Sequence, residues 1–347
     1  LKYLVFLLFV FSCSKNEEQT NCFNDKSETL NPEEKIPQTV KGILAHKPEY
    51  LQIVDLKNFR TFKEDSIYEH DFRIQASEIQ KYNKDFGIFD YKFERQFICF
   101  AKQEVGDTLY SLAKNDAGYW LLKIQNRIPY AYFLGLSFNQ YYINIIQEKP
   151  IIQDGFLQME GSFAEKIKKH YSSAIEDGKL FKIKLEDLIK DTDKDGYNDI
   201  FERSFGLNPN NKDSDGDGLN DLHDMNPLYK SEKNKFSELY QRALPVPFSE
   251  RNYKKLYYTI NFYNSDCNYF HQVDPYIRTI FVSEDKKKKT DYLSVTDVIK
   301  NKIIKITKSD KNPNLFYVYE ETKSGTLSYC KEFKDGKWES INAGECL

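Results

Sequence analysis

Histidine is scarce in this chain, with 5 in 347 residues, and none of His46, His70, His170, His223 and His271 belongs to an H-E-x-x-H or C-x-x-C-H pattern. That removes the zinc-hydrolase helix and the haem-attachment signature. The 6 cysteines form no C-x-x-C pair, which argues against a zinc ribbon or a thioredoxin-type site. Neither a G-x-S-x-G elbow nor a phosphate-binding loop occurs, so nothing local announces a nucleophile or a nucleotide. Proline (11) and glycine (15) are few beside 25 Tyr and 26 Phe, which favours strands with aromatic faces over a loop-rich scaffold. There is no basic excess: 50 basic against 53 acidic side chains leave a net charge of −3, so no nucleic-acid partner is expected. The run Lys286 to Lys289 is bracketed by Asp285 and Asp291 and reads as a solvated turn.

What is present is an uneven distribution of that charge. Between Asp191 and Asp224 stand nine Asp and one Glu against Lys194, Arg203 and Lys212, a local net charge of −7. A stretch that dense repels itself unless cations fill it. Its first part, Asp191 to Glu202, reads DTDKDGYNDIFE and matches the calcium-loop pattern D-x-[DN]-x-[DN]-G-x5-E at every specified position. Calcium takes six to eight hard oxygen ligands at roughly 2.3–2.6 Å, and carboxylates at alternate residues curl around one ion. Asp191, Asp193 and Asp195 supply these, Gly196 permits the reversal, and the Tyr197 carbonyl turns inward. Asp199 binds directly or through water, and Glu202 closes the shell. Twenty-two residues on, the device recurs as DSDGDGLNDLHD, with Asp213, Asp215, Asp217, the Leu219 carbonyl, Asp221 and Asp224 in the same places. Asp224 is one methylene shorter than Glu202, so the second site is expected to be weaker or to borrow a ligand from the first loop.

The amino-terminal part reads as an address. Lys2 precedes nine apolar residues, Tyr3 to Phe11, then Ser12 and Cys13. Nine residues cannot cross a hydrocarbon core of ~30 Å, which takes ~20 in a helix, so this is a processing signal. Val10-Phe11-Ser12-Cys13 resembles a lipoprotein box of the Bacteroidetes type, departing from the commonest form at Phe11. The resemblance implies cleavage before Cys13, a lipid anchor on its sulfur and an outer-membrane location. Ser14-Lys15-Asn16-Glu17-Glu18 is similar to a tag for the outer surface, favouring surface exposure over the periplasm.

Along the chain, the composition divides into a signal (1–12), a polar tether (13–37), an α+β domain (38–190), the acidic repeats (191–227), a connecting helix or linker (228–250) and a β-rich domain (251–347). The first domain is expected to be a mostly antiparallel sheet, from runs such as Gln96–Ala101, Tyr119–Ile124, Tyr130–Phe138 and Tyr141–Ile146. Phe163, Ile167, Tyr171 and Ala174 recur at three to four residues before Gly178, which predicts a helix. Asp335-Gly336 predicts a hairpin turn near the end. Cys330 and Cys346 bracket that hairpin and are the expected disulfide; Cys99, inside an apolar run, is expected as a buried thiol. Cys267 lies four residues from His271, a separation at which strand neighbours rarely face each other, so no thiol enzyme is assigned.

The string DTDKDGYNDIFERSFGLNPNNKDSDGDGLNDLHDMNP closely resembles thrombospondin type 3 repeats of bacterial surface proteins, over residues 191–227 only. It implies bound Ca²⁺ and a largely irregular segment whose ions replace a hydrophobic core. A dockerin is the next closest pattern, but the stretch Arg203 to Lys212 carries little helical signal. The expectation is an α+β protein in which calcium fixes the junction between two β-rich binding or display domains, with an extracellular protein or glycan as partner. An exported hydrolase acting on glycan or peptide is the alternative, and no catalytic residue is assigned.

Overall fold

The computed structural model describes residues 22–23, 39–59, 61, 76–143, 150–168, 171–244, 260–265, 267–283, 288–296, 304–322 and 325–341. The fold is mixed α+β, mostly sheet with few helices. It begins with a short helix α1 (Val40–Ala45), strand β1 (Leu51–Asp55) and a longer helix α2 (Ala76–Lys92). A four-stranded antiparallel meander follows: β2 (Ile98–Val105), β3 (Thr108–Asn115), β4 (Gly118–Gln125) and β5 (Ile128–Phe133). A second sheet has the order β1-β9-β8-β6, from β6 (Tyr141–Ile143), β8 (Phe156–Lys168) and β9 (Tyr171–Lys184), with the two-residue β7 (Ile152–Gln153) pairing β8.

The helix expected across Phe163 to Ala174 is therefore a hairpin. β8 and β9 pair antiparallel, and the register shifts at Gly161/Phe163, Phe163/Ala164 and Lys166/Lys168. Each shift moves the inward-facing set by one residue, so the strict alternation that marks a strand is lost from the sequence. Gly178 does not stop a helix. It stands at φ +71° inside β9, its carbonyl accepts from Leu56 N, and a Cβ there would meet the Phe59 ring at 2.6 Å.

Helix α3 (Leu185–Leu188) leads into the acidic segment, α4 (Asp199–Phe205) lies within it, and α5 (Lys235–Ala243) follows it. Asn234 caps α5 through a reciprocal arrangement with Ser237. Strands β10 (Asn261–Asn264) and β11 (Thr279–Val282) pair parallel, linked by a crossover that holds α6 (Asn268–His271). Helix α7 (Asp291–Val295) leads to an antiparallel meander of β12 (Ile304–Lys308), β13 (Leu315–Thr322), β14 (Gly325–Lys334) and β15 (Lys337–Ile341). Asp335 and Gly336, at φ +50° and +77°, turn β14 into β15.

Two hydrophobic cores result. The first gathers Trp120 and Phe133 from the β2–β5 meander with Phe163 and Phe181 from the five-stranded sheet; the second gathers Tyr240, Phe270, Phe316, Val318 and Trp338. The β10–β11 ladder lies between them: Phe262, Ile280 and Val282 belong to the first core, Tyr263 and Phe281 to the second. With Tyr292 and Leu293 also in the first core, residues beyond 251 contribute to both.

Part of the stretch read as a flexible tether is packed. Cys22 forms a disulfide with Cys267, the Tyr240 hydroxyl donates to the Cys22 carbonyl at 2.6 Å, and Phe23 lies against Phe236, Tyr240, Tyr269 and Phe316. Nothing in the spacing pairs cysteines 245 residues apart. Cys267 is consequently not a free thiol. Cys330 is disulfide-bonded, whereas Cys346 lies outside the described residues, as does Cys13; Cys99 is a buried free thiol. No helix among the described residues is long and apolar enough to cross a membrane.

Candidate metal centre

The acidic segment is built onto the first core. Tyr197 is fully buried and stacks on Phe201, with centroids 4.2 Å apart. Helix α4 carries Phe201 and Phe205 against Trp120, Phe133 and Phe262. It stops at Gly206, which takes φ +86°, a conformation natural to glycine. The first loop is thus not coreless, which departs from the expectation of an irregular, ion-filled segment. The physical reason is α4's two faces: Ile200, Phe201 and Phe205 go into the core while Asp199 and Glu202 face the loop.

Asp191 accepts from Lys194 N at 2.8 Å and Gly196 N at 3.1 Å, Asp193 from Asp195 N, and Asp195 from Tyr197 N at 2.7 Å. These hydrogen bonds orient three carboxylates around one point, with donor atoms within 4.8 Å of one another. The second loop repeats the arrangement. Asp213 accepts from Gly216, Asp217 and Gly218 N–H groups, Asp215 from Asp217 N and Asp217 from Leu219 N, and the three carboxylates again converge. Partial burial opposes it, but the N–H groups of Gly218, Gly216 and Asp217 hold the Asp213 carboxyl below its usual range. The Leu219 side chain is exposed, and His223 is exposed on the loop's outer side.

A third group joins the loops. Asp195 and Glu202 of the first repeat and Asp221 of the second bring their carboxylate oxygens within 4.8 Å of one another, all three buried. Glu202 has no exposed surface, and neither of its oxygens accepts a hydrogen bond. Burial, reinforced by the charges of Asp195 and Asp193, pushes its pKa up to about 9. Asp195 rises to about 7 by burial and by Asp193 and Asp221; Asp224 rises to about 6 by burial and by Asp217, Asp215 and Asp221. Burial likewise raises Asp193, Asp215 and Asp221.

Asp199 has a different setting. It accepts from Thr192 N at 2.8 Å and Thr192 Oγ1 at 2.9 Å and pairs with Arg203 and Lys190, so it braces the loop and belongs to none of the three clusters. Asp221, at the same place in the second repeat, makes the same brace to Ser214 N and Oγ while also entering the shared cluster. Asp224, buried, accepts from Asn226 N and lies outside the clusters.

Several positioning residues escaped the sequence reading. Buried Asn198 donates to the carbonyls of Phe133 and Leu188, at 3.0 and 2.8 Å, and accepts from Phe133 N at 3.1 Å, clamping the first loop to β5. Asn226 donates to the carbonyls of His271 and Val273, fixing the far end of the second loop. Arg278, buried, donates to the Asp224 and Leu222 carbonyls and lies beside the Tyr197 hydroxyl, so one side chain touches both repeats. Thr192/Ser214 and Asn198/Asn220 recur at the 22-residue period, a signal for bracing groups within the repeat; Arg278 and Asn226 had none.

Whether a cation fits is answered by the donor set. Asp193 Oδ2, Asp195 Oδ2, Asp215 Oδ2 and both Glu202 oxygens are buried without a hydrogen-bond partner. An ionised carboxylate so placed costs several kcal/mol unless it is neutralised or paired. All donors are hard oxygens, the chemistry of calcium or magnesium; soft-metal ligands are absent from all three groups. No protein-family model, curated protein or solved structure matches this chain.

Proposed function

We propose that this is an exported, non-enzymatic calcium-binding protein, lipid-anchored at Cys13 on the outer membrane's surface, whose acidic segment binds Ca²⁺ and thereby fixes two β-rich units for display to an extracellular partner. The observation that carries the calcium reading is Glu202: fully buried, unpartnered, and set against carboxylates from both repeats. Asp191, Asp193, Asp195, the Tyr197 carbonyl and Glu202 would hold an ion in the first loop. Asp213, Asp215, Asp217, the Leu219 carbonyl and Asp224 would hold one in the second, with Asp221 tying the two together. Calcium would supply the positive charge that these side chains lack, so binding energy becomes folding energy at the seam. Alternating carboxylates with large, adaptable shells favour calcium over magnesium, and plausible affinities lie near ~10⁻⁴ to 10⁻³ M, the range of extracellular modules.

The role differs from that of a spacer between independent domains. Chain beyond the second repeat returns to the first core through Phe262, Ile280, Val282 and Tyr292, so calcium acts on a seam already crossed by other packing. Calorimetric titration of the protein with calcium tests the reading. Saturable binding that Asp193→Ala and Asp215→Ala each diminish is expected; no heat and no rise in melting temperature at millimolar calcium would sink it. The anchor is tested separately, by incorporation of a labelled fatty acid that Cys13→Ala abolishes.

A further inference from the structure

A cleft of about 460 Å³ opens at the start of α5, between that helix and α6. Its apolar wall is the pair Phe236 and Tyr269, half-buried, with ring centroids 4.8 Å apart. Opposite runs a polar chain with its order set by hydrogen bonds: Asn234 Oδ1 accepts from Phe236 N and Ser237 N, Asn234 Nδ2 donates to Gln272 Oε1, and Gln272 Nε2 donates to Glu232 Oε2. These bonds lock both amides in one orientation while leaving each a second N–H, and Glu232 keeps a second oxygen. The side chain of Asn268, exposed at the rim, and the Tyr269 hydroxyl have no hydrogen bond among the described residues.

Charge narrows the ligand class. Among the described residues Glu232 is the cleft's one anion and Lys235 its one cation, and the ammonium is already engaged, donating to Asn314 Oδ1 at 3.2 Å and lying 4.4 Å from the Phe333 ring centroid and 5.5 Å from that of Phe236. A strongly charged ligand finds no counterpart here. A ring with an apolar C–H face and several adjacent hydroxyls does: aromatic faces cover the first, while fixed amides and a carboxylate serve the second.

We propose that this cleft binds a neutral saccharide, with Tyr269 and Phe236 as the platform and Asn268, Asn234, Gln272 and Glu232 as hydroxyl partners. This gives a chemical class to the extracellular partner of the proposed function, but it rests on the cleft alone and on none of the calcium argument. The test is to present the protein to an array of neutral hexose, pentose and N-acetylhexosamine oligosaccharides, with and without EDTA, and to titrate the best binder by calorimetry. At least one saturable ligand is expected, with Tyr269→Ala and Asn268→Ala each weakening it by roughly tenfold or more. Tyr269 also packs on Phe23, so if its variant fails to fold the exposed Asn268→Ala carries the test. Retention of no neutral saccharide, retention of acidic ones only, or affinity unchanged in Asn268→Ala would overturn the assignment. Binding that persists in a preparation showing no calcium heat would uphold the cleft while the calcium reading falls.

Discussion

Replacing Glu202 by Gln should raise stability without calcium and lose most of that advantage when calcium is present. In the metal-free protein the Glu202 carboxyl, raised from 4.5 to about 9, must take up a proton that the unfolded chain at pH 7 does not hold. A folded-state pKa raised above the unfolded one penalises an acid: the cost is absent below the unfolded value, grows as pH rises, and levels off above the folded one. At pH 7 the gap to the unfolded value is about 2.5 units, or about 3 kcal/mol. Glutamine keeps the shape without that cost, so Glu202→Gln should be more stable than the parent in EDTA by about that amount, and by under about 1 kcal/mol at pH 5. Calcium offsets most of that difference. At 10 mM, a site of ~10⁻⁴ M affinity adds about 2.7 kcal/mol, whereas one weakened ~100-fold by loss of a charged ligand adds about 0.4 kcal/mol. Urea denaturation at both pH values, in EDTA and in 10 mM calcium, reads all four numbers. A variant less stable than the parent in EDTA at pH 7, or one that gains as much from calcium, would refute the argument.

Asn198→Ala leaves the Phe133 N–H and the Phe133 and Leu188 carbonyls buried without partners and should cost roughly 3 to 5 kcal/mol by urea denaturation. Calcium binding at pH 7 should release roughly one to two protons, from Glu202 at about 9 and Asp195 at about 7, with apparent affinity falling as pH drops; titrations in buffers of different ionisation heat measure this. The double variant Cys22→Ser/Cys267→Ser removes a cross-link spanning 245 residues and should lower stability by about 5 kcal/mol in the chain-entropy model, measured against the parent without reductant.

What could be read from the sequence was what is local. Carboxylates at alternate residues must meet when a loop curls, so the convergence of Asp191, Asp193 and Asp195, and of Asp213, Asp215 and Asp217, was legible in the spacing alone. Which repeat would receive Asp221 was not, because that depends on how the second loop folds back beneath Arg278, a residue 54 positions after Asp224. The β8–β9 hairpin is hidden in the sequence because its register shifts break the alternation that identifies strands. Helix α2 went unread within a stretch expected to be sheet, although Tyr82, Phe86, Phe89 and Phe93 recur at helical spacing, because lysines and aspartates crowd the positions between them. The Cys22–Cys267 bond joins a polar leader to a crossover loop, and spacing says nothing about such a pair.

The β10–β11 ladder has a consequence for which changes of chain length the protein tolerates. Its side chains alternate between two different interiors, Phe262, Ile280 and Val282 on one side and Tyr263 and Phe281 on the other. Most two-faced strands send one set of side chains to water, and a slip of one residue exposes what should be covered. Here a slip would instead deliver each interior the other's side chains, Tyr263 where Phe262 was on β10 or Phe281 where Ile280 was on β11. Deleting or inserting one residue within either strand is thus an error felt at once on both sides, and in evolution length changes should be confined to the connections.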